Sequence, residues 1–105
     1  SKVYALSDND PEFVLQIVTL FVTEIPEDLA EMAKCLTFGA KKYAPGNWKK
    51  VDNAKKRYLD AALRHIELFR QGEVYDKESA THHLACAMTN LSFYLEFELN
   101  PELNT

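Results

Sequence analysis

Apolar residues recur at helical spacing through most of the chain and divide it into three long segments. In the first segment they make a broad stripe of seven positions: Phe13, Val14, Ile17, Val18, Leu20, Phe21 and Ile25. Recurrence at intervals of three and four residues is typical of an amphipathic helix. Asp10 followed by Pro11 predicts the helix start, because aspartate caps free N–H groups and proline favours the first turn. Pro26 must kink or split the helix, since it lacks an N–H and clashes with the preceding turn.

The helical pattern resumes after Pro26 and then gives way to a connection. Four apolar positions continue it: Leu29, Met32, Ala33 and Leu36. Gly39 is the expected stop, because glycine commonly ends a helix. Residues 40–52 are rich in turn-forming residues. Trp48, the single tryptophan of the chain, is expected to anchor this connection.

Two further helices complete the pattern. The second is predicted from about Asn53 to Gln71, with Asp52 as its cap and Gly72 as its stop. Its expected core stripe is Leu59, Ala62, Leu63, Ile66 and Phe69. The third is predicted from about Lys77 to Leu99, with Asp76 as its cap. Its expected core stripe is Leu84, Ala87, Met88, Leu91 and Leu95, widened by Phe93, Tyr94 and Phe97.

These segments predict an all-α fold in a single helical domain over residues 1–105. No segment alternates with period two over the length of a strand. Three long helices do not readily close a bundle, for which four is the usual number. We therefore expect either that the first helix splits near Pro26 or that chains share helices. The third helix is apolar on more than one face, which favours a homodimer or a higher oligomer.

Composition narrows the class of protein. The chain has 105 residues, of which 47% are hydrophobic and 27% charged, as in a folded domain. No apolar run reaches the ~18 residues that a membrane-spanning helix needs. The segment after Ser1 lacks the basic and apolar regions of a signal peptide. Two cysteines, Cys35 and Cys86, are too few for a disulfide framework, so we expect reduced, buried thiols in a cytoplasmic protein.

Charge is distributed unevenly along the chain. Residues 1–31 hold seven acids and one base, whereas residues 41–64 hold eight bases and two acids. The net charge of −4 argues against a nucleic-acid-binding protein. A basic stretch beside an acidic one suits a phosphate-bearing small molecule with a divalent metal. The alternative is that these charges decorate solvated helix faces.

Several polar residues occupy positions where a plain apolar core is not expected. His83 and Asn90 lie seven residues apart, on one face of the predicted third helix. On the second helix Asp60 and Arg64 are an i,i+4 pair, and His65 follows. One interpretation is a surface ion pair with partly buried histidines. The other is a site shared by two facing helices.

Acids and lysines near the second apolar segment suggest ligands for a metal and for phosphate. Glu27, Asp28 and Glu31 are spaced so that their carboxylates converge on a helix. Such oxygen ligands suit Mg²⁺ or Mn²⁺. The alternative is that acids after a proline complement the helix dipole. Lys41 and Lys42 follow a glycine, so the backbone and two cations there can hold phosphate oxygens.

The amino-acid sequence of the second half of the chain resembles that of one known family. It has Phe-Gly-Ala-Lys-Lys-Tyr and Asn-Trp in residues 38–48, and Arg-Tyr-x-Asp-Ala-x-x-Arg-His in residues 57–65. It continues with Gly-Glu in residues 72–73, Asp-x-Glu-Ser in 76–79 and His-Leu-x-x-Ala-x-x-Asn in 83–90. Residues 33–99 thereby resemble the phage-associated dATP/dGTP diphosphohydrolase N-terminal family. That family is similar to the all-α, MazG-like nucleotide pyrophosphohydrolases.

The resemblance implies hydrolysis of a purine deoxynucleoside triphosphate to monophosphate and pyrophosphate, with Mg²⁺ or Mn²⁺ held by acids on helices. The implied phosphate and nucleotide contacts are Lys41, Lys42, Asn47, Trp48, Arg57, Arg64 and Asn90. The implied catalytic residues are His65, His83 and Asp60, and the implied metal ligands are Glu27, Asp28, Glu31 and Asp60. Two features depart from the pattern. The Glu-x-x-Asp motif occurs only as Glu73 to Asp76, in a predicted loop, and Cys86 stands where members often carry histidine.

The first part of the chain resembles a different family. Asn-Asp-Pro-Glu-Phe in residues 9–13 and Leu-Phe-x-x-Glu-x-Pro-x-Asp-Leu in residues 20–29 resemble the opening helices of a histidine phosphotransfer domain. The phosphoacceptor motif of that family, a histidine followed closely by lysine-glycine, is absent from the sequence. A change of resemblance near residues 24–32 predicts a junction of two ancestries. The alternatives to a pyrophosphohydrolase are therefore a chimeric or structural bundle without chemistry, and a phosphotransfer-like signalling partner.

Overall fold

Four α-helices and two short 3-10 segments lie within residues 10–104, the part of the chain described by a computed structural model. The α-helices are α1 (Pro11–Glu24), α2 (Pro26–Lys42), α3 (Ala54–Arg70) and α4 (His83–Leu99). The 3-10 segments are Asn47–Lys50 and Pro101–Asn104. This part of the chain holds no strand, only an isolated bridge between Tyr75 and His82. The predicted all-α class is confirmed, and none of the four helices is long and apolar enough to cross a bilayer.

The first predicted helix is split into α1 and α2, so the described helices number four rather than three. Asp10 caps α1 as predicted, since its carboxylate accepts the N–H groups of Glu12 and Phe13 at 3.1 and 3.2 Å. Ile25 separates the two helices, and Pro26 begins α2. All residues of α1 are exposed, so the other described residues do not cover its apolar stripe.

The antiparallel pair of α3 and α4 is the centre of the fold, and α2 packs against α4. Mostly small side chains lie buried between these helices, which lets their axes approach closely. From α3 these are Ala54, Ala62 and His65, and from α4 they are His83, Ala85, Cys86, Ala87, Thr89 and Phe97. This contact positions two histidines of different helices against each other.

The core stripes predicted for α3 and α4 are wrong at most of their large residues. Six of them are 38–56% exposed, and we call this set the outer seam: Leu59, Leu63, Leu84, Met88, Leu91 and Leu95. Of the thirteen predicted positions, Ala62, Ala87 and Phe97 are the ones that are buried. Hydrophobic periodicity assigns the largest apolar side chains to the core, whereas these helices contact each other through alanines and histidines. The outer seam is therefore an apolar surface of the single chain.

Three predicted boundaries also change. Gly39 lies inside α2, which continues to Lys42. Asn53, with φ of 55°, precedes α3 and provides no side-chain cap, so Asp52 is not the cap. The third change is the largest, because α4 begins at His83 rather than at Lys77.

Residues 71–82 form a structured loop in place of the predicted first turns of that helix. Asp76 caps a tight turn instead, accepting the N–H and the hydroxyl of Ser79 at 2.9 and 2.8 Å. Ala80 has a left-handed φ of 59°, which a helix cannot accommodate. The loop is held by bonds from the Asp76 N–H to the Thr81 carbonyl and from the His83 N–H to the Val74 carbonyl, both 2.9 Å.

Trp48 anchors its connection, as predicted. Its ring stacks on Phe93 with centroids 4.9 Å apart, and it lies 5.3 Å from the ring of Phe97. The hydroxyl of Tyr58 donates to the Trp48 carbonyl at 2.8 Å. Burial raises the pKa of Tyr58 to about 12. These four aromatic residues close the end of the α3–α4 pair remote from the histidines.

Two glycines provide a matched test of this backbone. Gly72 follows α3 with φ of 104°, whereas Gly39 lies within α2. A Cβ at either position would meet no atom within 4 Å, so crowding does not separate them. We expect Gly72→Ala to lower the free energy of unfolding by about 1 kcal/mol or more, because alanine resists positive φ. Gly39→Ala should raise it by about 0.5–1 kcal/mol. Urea unfolding of both variants checks this, and changes of equal sign would contradict it.

Candidate functional site

A group of histidines and carboxylates lies between α3, α4 and the loop of residues 71–82. The Nδ1 atoms of His65 and His83 are 2.8 Å apart, and His83 Nε2 is 2.7 Å from a carboxylate oxygen of Glu73. His65, His83 and Asp76 each offer a ligand atom, and these three atoms lie within 4.8 Å of one another. His83 is 0% and His65 7% exposed. We call His65, Glu73, Asp76 and His83 the histidine–carboxylate cluster.

Local backbone structure places each member of the cluster. His65 lies in the last half of α3 and His83 is the first residue of α4, so the antiparallel pairing brings them together. The chain reverses after α3, where the N–H of Glu73 donates to the Leu68 carbonyl at 3.0 Å. The turn around Asp76 then folds its carboxylate back toward the imidazoles. Ala80, in its strained left-handed conformation, closes this turn, and such strain is most often found at functional sites.

The charges of the cluster follow from these contacts. Burial, together with the nearby Arg64 guanidinium, lowers the pKa of His65, so its imidazole is neutral near pH 7. The hydrogen bond from His83 lowers the pKa of Glu73. Burial by itself would raise the pKa of Asp76, but the N–H and hydroxyl of Ser79 bring it below its usual value. Two ionised carboxylates beside an uncharged imidazole make a site that favours a cation.

Helix α2 is tied to the start of α4 by Glu31. Its carboxylate accepts the N–H of His82 at 2.9 Å and pairs with Lys34 at 3.1 Å. The His82 hydrogen bond and then Lys34 lower the pKa of Glu31. An acid at the N-terminus of a helix satisfies a free N–H and complements the helix dipole. Glu31 therefore supports the helix that carries His83.

The structure does not gather the predicted metal ligands Glu27, Asp28, Glu31 and Asp60 into one site. Among residues 10–103, the side chains that converge as possible metal ligands are His65, Asp76 and His83, and none of the four predicted ligands is in this group. Glu31 is engaged at the start of α4, and Asp60 is exposed and pairs with Lys56 at 2.8 Å. Asp60 precedes His65 by five residues, which rotates it by about 140° around α3. The predicted ion pair of Asp60 with Arg64 is replaced by this pair with Lys56.

Of the residues predicted to contact phosphate, Arg64 lies beside the cluster. Its side chain is exposed, and its charge acts on His65. Lys42 pairs with Glu78 of the loop, which ties the end of α2 to that loop. Lys41 and Arg57 are exposed on the surface. The Asn90 amide donates to the Cys86 carbonyl of its own helix at 2.7 Å.

Asn47 and Trp48 lie away from the cluster, at the aromatic end of the α3–α4 pair. Phe93, on which Trp48 stacks, follows His83 by ten residues, or about 15 Å along α4. A surface pocket of about 430 Å³ borders Trp48 and Phe93 there. The predicted site residues are thus divided between two ends of the helix pair.

Sequence reasoning placed His65 and His83 in the site but missed Glu73 and Asp76. The Glu-x-x-Asp spacing of these two carboxylates is visible in the sequence, but it falls in a predicted loop and so does not by itself indicate a site. The reversal at Gly72 was the signal that could have found them. A loop that turns back immediately after a helix places its side chains over that helix.

The two cysteines connect α2 to the neighbourhood of the cluster. Both are free; Cys86 is buried and Cys35 half-buried. A hydrogen bond between the thiols lowers the pKa of Cys35 to about 7 and raises the pKa of Cys86. The sulfur of Cys86 lies 4.0 Å from the hydroxyl of Ser79, which in turn bonds to Asp76. The residue that replaces the family's frequent histidine therefore borders the cluster.

Comparison with known proteins gives one family. The family described as "dATP/dGTP diphosphohydrolase, N-terminal" matches residues 8–105. A dATP/dGTP diphosphohydrolase of Salmonella phage PMBT28 is 34% identical over 68 residues. Those residues are 65% of this chain but 23% of that relative, so the chain matches less than a quarter of the relative's length. No solved structure matches.

The family match runs without interruption through residues 24–32, where we predicted a junction of two ancestries. The resemblance of the first residues to a histidine phosphotransfer domain is not shown. Asn9, the first residue of the matching segment, lies outside the described residues. His65 and His83 are buried, so neither is open to a phosphotransfer partner.

Proposed function

The chain belongs to the dATP/dGTP diphosphohydrolase N-terminal family, and on that premise we propose that it forms a purine deoxynucleoside triphosphate site of a nucleotide pyrophosphohydrolase. The observation that best supports this is the histidine–carboxylate cluster with Arg64 beside it. The printed name of the phage relative points to dATP and dGTP as the first substrates to test. Because the match covers only part of that relative, the chain can be one component of a larger catalytic unit.

The reaction would add water to the α-phosphorus and break its bond to the oxygen of the β-phosphate. The products are a deoxynucleoside monophosphate and pyrophosphate. Arg64 would offset negative charge on the phosphates, which grows on the leaving group as the bond breaks. His65 is neutral near pH 7, so its imidazole can take up a proton. Glu73 fixes the orientation of His83 through its 2.7 Å contact with Nε2.

A divalent metal belongs to this proposal, because the two carboxylates would otherwise repel a triphosphate. Magnesium, which the family resemblance implies, does not fit the cluster. Two of the three converging donors are imidazole nitrogens, whereas Mg²⁺ in proteins takes oxygen ligands. Manganese also favours carboxylate and water oxygens. We therefore derive no step through Mg²⁺ at this site.

The proposal is tested by incubating the chain with dGTP, dATP and dCTP in separate Mg²⁺, Mn²⁺ and Zn²⁺ buffers. We expect equal amounts of monophosphate and pyrophosphate from the purine substrates, and an about tenfold loss of kcat/KM in Arg64→Gln. Arg70→Gln, which changes an exposed arginine of the same helix that is not a predicted nucleotide contact, is the matched control. The proposal would be overturned if the chain showed no turnover and calorimetry showed no nucleotide binding in any of these buffers.

We also propose that a second copy of the chain covers the outer seam. Its α4 members Leu84, Met88, Leu91 and Leu95 are spaced by four, three and four residues, the spacing of a helix–helix seam. Six exposed large apolar residues on one helix pair are consistent with a protein–protein contact surface. Two such pairs face to face would complete a four-helix bundle.

Leu91→Glu tests this assembly. Leu91 is 42% exposed in the single chain, so a glutamate there should leave the chain folded while disrupting the seam. We expect a dimer or higher oligomer by light scattering for the unmodified chain, and a monomer for Leu91→Glu. Lys77→Glu, an exposed change outside the seam, should leave the mass unchanged. A monomeric unmodified chain at micromolar concentration would contradict this assembly.

The nucleotide contacts predicted for Lys41, Lys42, Asn47, Trp48, Arg57 and Asn90, and the cytoplasmic location, stay predictions. The pocket beside Trp48 could take a base only if the triphosphate spanned the length of α4 between the two ends. Arg64 is for this reason the phosphate contact on which the proposal depends.

A further inference from the structure

We propose that His65, Asp76 and His83 form a binding site for a first-row transition-metal ion that accepts imidazole, such as Zn²⁺, rather than for Mg²⁺. The inference deepens the proposed function, on which it rests for the purpose of the site. It stands on the position of the donors, on the hydrogen bond that orients one of them, and on their burial.

The two imidazole nitrogens already lie close to the positions that an ion requires, with the Asp76 carboxylate nearby. The two Nδ1 atoms are 2.8 Å apart, and the Asp76 oxygen lies within 4.8 Å of both histidines' ligand atoms. Two nitrogens bound to one ion at about 2.05 Å lie about 2.9 Å apart at a right angle and about 3.3 Å apart at a tetrahedral angle. The imidazoles therefore need to shift by about half an ångström, whereas the Asp76 carboxylate, up to 4.8 Å away, needs to approach by about 1.5 Å. In the metal-free protein only one of the facing Nδ1 atoms can carry a proton, and a metal would replace that proton.

Besides the ligand Asp76, the site has a second carboxylate, Glu73. A metal-binding histidine is commonly hydrogen-bonded to such a carboxylate through its other ring nitrogen. Its oxygen lies 2.7 Å from His83 Nε2, so Nε2 carries the proton and Nδ1 presents its lone pair to the interior. The hydrogen bond lowers the pKa of Glu73, which keeps this carboxylate ionised. Lys77, 3.5 Å from the other oxygen of Glu73, holds the carboxylate from the solvent side. Glu73 is a positioning residue in this arrangement and not a ligand.

The chemistry of the donors selects the class of ion. Imidazole nitrogen is a preferred ligand of Zn²⁺, Fe²⁺ and Ni²⁺, and two histidines with one carboxylate is a recurrent catalytic ligand set for such ions. Three protein ligands also leave one or more coordination positions open, as in catalytic rather than structural sites. Arg64 is exposed and its charge acts on His65, so it could supply a counter-charge to a phosphate bound at the ion.

Titration of the chelator-stripped chain with Zn²⁺ by calorimetry, and with Co²⁺ by visible absorption, tests the site without nucleotide. We expect one ion per chain and no displacement by a hundredfold excess of Mg²⁺. His65→Asn and Asp76→Asn should each weaken Zn²⁺ binding by about 100-fold or more, and Glu73→Gln by about 10-fold. Nitrogen-detected NMR should show that Nδ1, not Nε2, of His65 and His83 changes on binding.

The third histidine of the chain provides the matched control. His82 caps α4 through Nδ1, and His82→Asn keeps a capping oxygen, so its affinity for Zn²⁺ should be unchanged. Absence of binding by the folded, unmodified chain would overturn the inference. So would binding that survives His65→Asn and Asp76→Asn but is lost in Cys35→Ser with Cys86→Ser, which would place the ion at the thiols. Since no nucleotide is present, failure here is distinct from failure of the hydrolysis assay.

Discussion

Replacing Phe97 by alanine is expected to lower the free energy of unfolding by about 3–5 kcal/mol. Phe97 is fully buried and its ring lies against those of Trp48 and Tyr58, at 5.3 and 6.2 Å between centroids. Truncation removes apolar surface from the core and leaves a cavity beside these rings. Since a domain of this size is stabilised by only about 5–10 kcal/mol, the variant should be close to unfolding at room temperature.

Urea unfolding followed by circular dichroism measures this change. Leu99→Ala is the matched control, because Leu99 lies two residues further along α4 and is 68% exposed. Its effect should stay within about 0.5 kcal/mol. A similar loss in both variants would show that the aromatic residues do not form the core of this end. The change in tryptophan fluorescence on unfolding should be lost in Phe97→Ala, because the environment of Trp48 depends on that ring.

Replacing His83 by alanine is expected to cost about 2–4 kcal/mol of folding free energy in metal-free protein. The imidazole is 0% exposed and contacts both His65 and Glu73. Its removal leaves a cavity, and it leaves the Nδ1 of His65 without its partner in a buried position. A buried polar group without a partner costs about 1–3 kcal/mol.

The control for His83→Ala is Asp60→Ala, which removes one partner of an exposed ion pair and should change stability by no more than about 0.5 kcal/mol. Unfolding in urea with a chelator present keeps bound metal out of the comparison. If His83→Ala proved as mild as Asp60→Ala, the cluster would not be the packed, hydrogen-bonded unit described above.

The helical class and the split at Pro26 could be predicted from the sequence, because both depend on local chemistry. Spacing of apolar residues determines the helical period, and proline blocks the helix by its own geometry. The buried face could not be predicted in the same way. Leu63 and Leu95 have the larger apolar side chains but lie exposed, while Ala62 and Ala85 lie buried where α3 and α4 meet.

The cluster shows the same division between local and long-range effects. His65 and His83 stood out because polar residues interrupted apolar helix faces. The sequence predicts Asp76 as a helix cap. In the structure its carboxylate does accept a backbone N–H, that of Ser79, but within a turn rather than at a helix start. Only the folding of the loop onto α3 and α4 gives its carboxylate a place beside two imidazoles. Asp60 had the more persuasive sequence context, yet the helical rotation between it and His65 places it in solvent.

The comparison of Asp76→Asn with Asp60→Asn tests most directly whether function centres on the histidine–carboxylate cluster. Both changes remove one negative charge at nearly constant volume, and asparagine at 76 can still accept the Ser79 hydrogen bonds. Turnover of dGTP would be measured as pyrophosphate release with saturating divalent metal. The cluster predicts a loss of about 100-fold or more in Asp76→Asn and less than about twofold in Asp60→Asn. A large loss in Asp60→Asn with normal turnover in Asp76→Asn would contradict it.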